Sequence, residues 1–275
     1  MNRQEVREIR PVLRWVGGKQ FLLKQLLTFC PTDVADRRYH EPFLGAASMF
    51  LALRPRKANL SDSNPHLMNA YRIISTRTDE VARHLSRLSK QDSQQFYYLT
   101  RKRYNNSRFS IVQAARFLYL NRTCFNGVFR VNRQDQFNVP YGHKPKPWFP
   151  SRDYLRNFAD AMSTAGLFTE DYRRALKRAK NGDFVYLDPP YPPLNGTSNF
   201  AHYTLDRFGV PNQHDLAEEV RELDKRGCLV LISNADTKLI RQLYRGFRIH
   251  TLDATRFVSC KANKNSVKEL VIRNY

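Results

Sequence analysis

The sequence is short of acid. It carries 25 Asp+Glu against 46 Lys+Arg over 275 residues, a formal net charge of +21. That imbalance argues against a cationic partner and points to a polyanion, nucleic acid first. Cysteine is sparse too. Cys30, Cys124, Cys228 and Cys260 lie far apart with no C-x-x-C pair, which argues against structural zinc and a disulfide framework and suits a reducing cytoplasm. No metal is expected. No apolar run approaches the ~18 residues of a membrane span. The stretch Met1 to Arg10 is charged and has no apolar core of a secretory signal. Repeats and low-complexity tracts are absent.

What is present is an alternation. Leu22, Leu23, Leu26 and Leu27 recur at helical spacing after Lys19. A short strand around Tyr39 to Glu41 runs into Pro42 and the small-residue turn Gly45-Ala46-Ala47-Ser48. A helix over Met49 to Leu53 and a strand over Ala58 to Asp62 follow. Downstream, Phe184 to Leu187 is a buried-strand run ending at Asp188. Leu216, Val220 and Leu223 stripe a helix that Gly227 stops, and Leu229 to Ile232 is another buried strand. Strands separated by helices predict an α/β fold with a largely parallel sheet, whose ligands bind at the carboxyl ends of the strands. The middle differs. Val81, Leu85 and Leu88 mark one helix and Phe117 to Leu120 another. From Arg101 to Pro150 there are ten Lys/Arg and one acid, Asp135, with aromatics interleaved. Val128 to Asn132 and Gln136 to Pro140 flank a polar turn and predict a β-hairpin. The expected organisation is a discontinuous catalytic domain, 1–64 and 151–275, around a mainly helical nucleic-acid recognition domain, 65–150, that carries the hairpin.

The sharpest motif is Asp188-Pro189-Pro190-Tyr191 after an apolar strand. It suits methylation of an aromatic amine. The amine lone pair is delocalised into the ring, so the nitrogen is a poor nucleophile. A carboxylate and a backbone carbonyl that accept its two N–H groups draw nitrogen toward tetrahedral geometry and aim the lone pair at a methyl group. Two prolines fix the backbone and offer no competing N–H. Tyr191 can stack on the base. Positioning and charge relief supply most of the acceleration. The acidic form of this amino-methyltransferase signature resembles adenine-N6 and some cytosine-N4 DNA enzymes. A second segment, Glu41 to Ser48, places small residues between strand and helix, where the methionine part of a cofactor can approach the backbone at Gly45. Asp62 ends the next strand 21 residues after Glu41 and can accept both ribose hydroxyls. A strand-end Asp is equally a helix N-cap, but Ser63 or Asn64 can cap instead. In Arg14-Trp15-Val16-Gly17-Gly18-Lys19-Gln20, the glycines permit close approach, Trp15 offers a stacking face and Lys19 a partner for a carboxylate.

Taken together, Trp15 to Lys19, Glu41 to Ser48, Asp62 with Asn64, Leu118 to Arg122 leading into Phe125-Asn126-Gly127, and Asp188 to Tyr191 resemble the Dam family of S-adenosylmethionine-dependent DNA adenine-N6 methyltransferases. The order of the motifs is that family's order, and the likeness spans essentially the whole chain. The resemblance implies a Rossmann-like methyltransferase sheet, S-adenosylmethionine as methyl donor with S-adenosylhomocysteine as product, and a flipped adenine in GATC of double-stranded DNA. It implies a cytoplasmic, nucleoid-associated enzyme of a bacterium or phage, with no obligate protein partner and no membrane. By position, Trp15, Lys19, Glu41, Gly45, Asp62 and Asp188 would meet the cofactor. Arg130 would read one guanine and Arg14 another, and Arg122, Asn126, Val128, Pro140 and Lys144 would complete the DNA contacts. The chain departs from the family at Ala47, often a second Gly, at Arg14, usually Lys, and at Lys144, where an aromatic is usual. Cytosine-N4 methylation, RNA methylation and a non-catalytic DNA-binding relative are the competing readings.

Overall fold

The computed structural model of the chain describes residues 10–192, 208–255 and 266–275. The charged stretch before Arg10, and Cys260, lie outside them. In chain order the strands are β1 (Arg38–Glu41), β2 (Lys57–Asp62), β3 (Ala165–Thr169), β4 (Phe184–Leu187), β5 (Leu229–Ala235), β6 (Arg248–Thr255) and β7 (Ser266–Arg273). The helices are α1 (Leu23–Leu27), α2 (Ser48–Leu53), α3 (Pro65–Thr76), α4 (Thr78–Ser89), α5 (Gln94–Asn105), α6 (Ile111–Thr123), α7 (Arg152–Met162), α8 (Tyr172–Leu176), α9 (Val210–Lys225) and α10 (Lys238–Leu243). Two compact units form. A sheet unit holds Lys19–Leu44, Pro55–Ser63 and Phe168–Tyr275; a helical unit holds Met1–Gly18, Gly45–Arg54 and Asn64–Leu167. This is a division by compactness, whereas the expected boundaries at 64/65 and 150/151 divide the chain by role.

Among the described residues seven strands form one sheet in the order β3-β2-β1-β4-β5-β7-β6. β1 pairs in parallel with β2 and β4, and β4 with β5, while β7 runs antiparallel between β5 and β6. A parallel core with one reversed strand is the Rossmann-like methyltransferase arrangement expected from the sequence. Strand order reverses direction between β1 and β4, so the carboxyl ends there form the crevice at which α/β sheets bind ligands. Glu41 ends β1 and Asp188 follows β4. β4 reads Phe-Val-Tyr-Leu without alternation because it lies between parallel neighbours and is buried at all four positions.

Leu216, Val220 and Leu223 of α9 are fully buried and join Val185, Leu187, Val230 and Ile232 in the main core of the sheet unit. Burying each such side chain contributes about 1.5–3 kcal/mol. Gly227 ends this helix region for two reasons. Its φ of +79° is costly for other residues, and a Cβ there would lie 2.4 Å from Asn181 Oδ1.

In the helical unit, Asn64 caps α3. Its side chain accepts the Leu67 N–H at 3.0 Å, and Pro65 follows as the first helical residue. Capping thus falls to Asn64 and not to Asp62. The predicted hairpin is present but does not form regular strands. Its limbs meet at one bridge, Val131 with Phe137, flanked by Asn138 N–H to Arg130 C=O and Asn132 N–H to Gln136 C=O. Side chains take the backbone groups that a longer ladder would use. The Asn132 carboxamide accepts the Gln134 and Gln136 N–H groups. Asn105 of α5 bonds both the N–H and the C=O of Phe137, and Tyr97 and Arg101 donate to the Val139 carbonyl. The second limb is docked on α5 instead of extending a ladder.

Candidate active site

The sheet unit gathers the catalytic motif at the end of β4. Leu187 pairs with Ile232 of β5, so the next residues, Asp188 and Ser233, meet on the same side. Asp188 Oδ1 accepts from Ser233 Oγ at 2.9 Å and from the Lys19 ammonium at 2.8 Å. Ser233 Oγ is also 3.0 Å from the Tyr186 hydroxyl. Among the described residues no donor bonds Asp188 Oδ2. Burial pushes the Asp188 carboxyl above its ordinary range, against the pull of Lys19 and Ser233. Burial pulls the Lys19 pKa down, but the carboxylates of Asp188 and Glu269 outweigh it and hold the ammonium charged.

The Pro-Pro turn has its own support. Buried Gln213 of α9 donates to the Pro190 carbonyl at 2.8 Å and accepts from Asn234 of β5 at 3.1 Å. Tyr191 is held on two sides. Its hydroxyl donates to Glu269 Oε2 at 2.9 Å, and Lys19 Nζ lies 4.6 Å over its ring. Ser233, Gln213, Asn234 and Glu269 were not foreseen. The polar Ser-Asn pair closing the apolar run of β5 was a readable sign. The lone acid in Leu-Val-Ile-rich β7 was a fainter one.

The other sheet-unit residues expected at the cofactor lie at neighbouring strand ends. Glu41, buried at the end of β1, accepts from the Tyr39 hydroxyl at 2.8 Å. Asp62 ends β2, and its carbonyl accepts the Glu170 N–H. In the helical unit, Gly45 has φ of +46°, and a Cβ on it would lie 2.9 Å from Trp15 Cδ1. Its carbonyl accepts from Tyr71, and Trp15 stacks on Phe129 at 5.9 Å. Ala47, where the resembling family often has Gly, is left-handed at φ 61°, a conformation costing about 1–2 kcal/mol for a residue with a Cβ. Among the described residues no group of His, Cys, Asp and Glu can hold a metal ion.

The expected DNA contacts lie in the helical unit. Buried Asn121 bonds both backbone groups of Arg14 and the Gly127 carbonyl, fixing the Arg14 segment beside the turn after α6. Gly127, at φ +67°, has no room for a Cβ, which would fall 2.5 Å from Arg14 Cβ. Arg14, Asn126, Arg130 and Pro140 are exposed and Val128 is half-buried. Arg130 Nε donates to Asn138, and among the described residues its two terminal nitrogens have no partner. Arg122 is turned inward. It donates to the Pro11 and Val12 carbonyls and stacks 4.3 Å over Trp148. Burial, with Arg14 nearby, draws it down to about 10. Half-buried Lys144 donates to the Arg122 carbonyl, and burial with Arg14 brings it to about 8.

A parallel sheet with a reversed final strand and Asp-Pro-Pro-Tyr at a central strand end defines an amino-methyltransferase. The family model of D12 class N6 adenine-specific DNA methyltransferases matches residues 15–258. A DNA adenine methylase of Escherichia coli (strain K12) is 36% identical, covering 95% of this chain and 94% of that protein. One from Serratia marcescens is 38% identical over 95% and 97%. The type II methyltransferase M1.LlaDCHI of Lactococcus lactis subsp. cremoris is 33% identical over 97% and 96%. The chain belongs to the D12 class of N6 adenine-specific DNA methyltransferases. It is an enzyme of DNA that draws on S-adenosylmethionine, and the cytosine-N4, RNA and non-catalytic readings give way to adenine N6. No described helix is long and apolar enough to cross a membrane.

Proposed function

We propose that this enzyme methylates adenine within GATC of double-stranded DNA, after the adenine has rotated out of the helix into the Asp188–Tyr191 site. The observation that carries the reading is the state of Asp188. Lys19 and Ser233 hold Oδ1, and no described donor bonds Oδ2, which can accept one N–H of the amine. The Pro189 carbonyl accepts the other, while Gln213 engages the Pro190 carbonyl and keeps the turn in place. The nitrogen lone pair is thereby aimed, which is an orientation effect more than an acid–base one. Tyr191 stacks on the base. A stacked, paired amine cannot reach this carboxylate, which is why flipping is required.

The residues suit the cofactor. Gly45 lets the Trp15 ring pack on the backbone, where a Cβ would lie 2.9 Å from Trp15 Cδ1. Lys19 with Asp188 and Glu269 sums to one negative charge when all three are ionised, the sign that suits a sulfonium. S-adenosylmethionine supplies an electrophilic methyl group that no side chain offers. Lys19, Glu41 and Asp62 at the carboxyl edge of the sheet are its proposed contacts; Trp15 and Gly45 keep the assignment that the family resemblance gives them. Asp62 accepts the ribose hydroxyls.

For DNA, Arg130 presents its terminal nitrogens to guanine O6 and N7 in the major groove, with Asn138 steadying Nε. Arg14 reads a second guanine, and Asn126, Val128, Pro140 and Lys144 add contacts. The inward bonds of Arg122 suit it to support these residues through Pro11, Val12 and Trp148. The test is methylation of a random duplex library followed by base-resolved sequencing, with wild type and Asp188→Ala in parallel. N6-methyladenine confined to GATC, and lost in the variant, supports the proposal. Another target sequence, or an active Asp188→Ala variant, refutes it.

A further inference from the structure

We propose that Glu269 is a positioning residue for methyl transfer: its carboxylate fixes the Tyr191 ring through the hydroxyl and gives the Lys19 ammonium a second seat, freeing Asp188 for the incoming amine. The proposal rests on the reading of Asp188–Tyr191 as the transfer site. A buried carboxylate is costly unless paired. Glu269 is 4% exposed on β7, opposite Ala235 of β5, where its neighbours are the Tyr191 hydroxyl at 2.9 Å and Lys19 Nζ at 3.9 Å. Lys19 meanwhile bonds Asp188 at 2.8 Å and covers the Tyr191 ring at 4.6 Å. Two carboxylates thus share one ammonium beside the aromatic ring that is to stack on the base.

This sharing answers a conflict in the site. A carboxylate bonded to an ammonium is a weaker acceptor for an amine N–H, because its charge is already partly satisfied. A tilt of the flexible lysine stem moves Nζ from Asp188 toward Glu269 without leaving either charge unpaired. The hydroxyl bond addresses a second need. A tyrosine ring held only by its Cβ turns about two torsions, and pinning the far end leaves a single stacking plane.

The test uses the full-length enzyme with Glu269→Gln, Glu269→Leu, Tyr191→Phe and the Leu/Phe double variant, in single-turnover transfer from labelled S-adenosylmethionine to a GATC duplex. Glu269→Gln keeps an acceptor for the hydroxyl but removes the charge. It should slow transfer about tenfold with little change in the KM for DNA. Lys19 then stays on Asp188, so the acid limb of the pH–rate profile should move to lower pH. Glu269→Leu should cost up to about 100-fold. Adding Tyr191→Phe should cost nothing more, since the hydroxyl has already lost its acceptor. The inference is overturned if both Glu269 variants transfer within about twofold of wild type, or if the Leu and Phe effects multiply. Should the Leu variant fail to fold, an unchanged rate and unmoved acid limb in the near-isosteric Gln variant overturn it alone. Asp188→Ala in the same assay separates the failures. If it too is active, the reading of the site is at fault; if it is dead while the Glu269 variants are normal, only the role of Glu269 falls.

Discussion

Replacing Lys19 by Met keeps the stem and removes the charge from the centre of the catalytic cluster. The Lys19 side chain is 7% exposed, and its ammonium lies 2.8 Å from Asp188 Oδ1. Removing one member of a buried pair costs about 3–5 kcal/mol, because the other charge is left behind. Asp188 escapes part of that cost by taking a proton. Its carboxyl is already raised by burial, and Lys19 is the main influence holding it down. In the variant the folded-state pKa climbs further, while the unfolded value stays near 4. A raised folded-state pKa contributes stability that is full below the unfolded pKa and lost as pH rises through the folded one. Relative to wild type, the unfolding free energy of Lys19→Met should therefore fall with rising pH by about 1.4 kcal/mol per unit, from the raised wild-type Asp188 pKa until the still higher pKa of the variant is reached, then level off. Denaturant unfolding of both proteins from about pH 5 to 8, monitored by tryptophan fluorescence, measures it. Methyl transfer should show its acid limb displaced to higher pH, because a protonated Asp188 is a poorer acceptor. A stability difference that does not change with pH would mean that Asp188 is not held ionised by Lys19, and the account of the site would be wrong.

Asp62→Ala should weaken S-adenosylmethionine binding by about 1.5–3 kcal/mol for each charge-assisted bond lost, read by calorimetry, and should alter transfer at saturation much less. Arg130→Ala should relax selection at one guanine, costing about 1–3 kcal/mol of discrimination in competition between GATC and singly altered sites. Equal loss on every site would instead make Arg130 a phosphate contact. Asn138→Ala should produce a weaker form of the same relaxation, since it frees Nε of Arg130. The affinity of the enzyme for DNA should fall steeply between about 50 and 200 mM salt, and a flat log–log plot would contradict the counterion argument from its +21 charge. With 2-aminopurine at the target position, fluorescence should change on binding and a mismatch there should tighten affinity; matched affinities and an unmoved signal would count against flipping.

Local rules made much of this protein legible. The apolar run Phe184–Leu187 and the prolines after it identify a strand end and a stiff turn by themselves. Asn64 before Pro65 announces a helix start, which separates Asp62 from the capping role. Gly227 past the stripe of Leu216, Val220 and Leu223 ends α9 for reasons written in single residues. Long-range pairing was not legible, because it depends on strand register and on side-chain direction. Ser233 reaches Asp188 only because Leu187 pairs with Ile232, and Glu269 reaches Tyr191 only because β7 inserts antiparallel beside β5. Arg122 reads as one of the DNA contacts of a basic stretch, and only the packing shows that its guanidinium also bonds the Pro11 and Val12 carbonyls. The hairpin was visible in its turn residues, but α5 decided its pairing by offering Asn105 to the Phe137 backbone. Sequence alone determined which residue types could do the chemistry and on which elements they lie; tertiary structure decided which of them meet, since hydrogen bonds and ion pairs act over about 3–4 Å and residues distant in the chain come that close only when the sheet closes register.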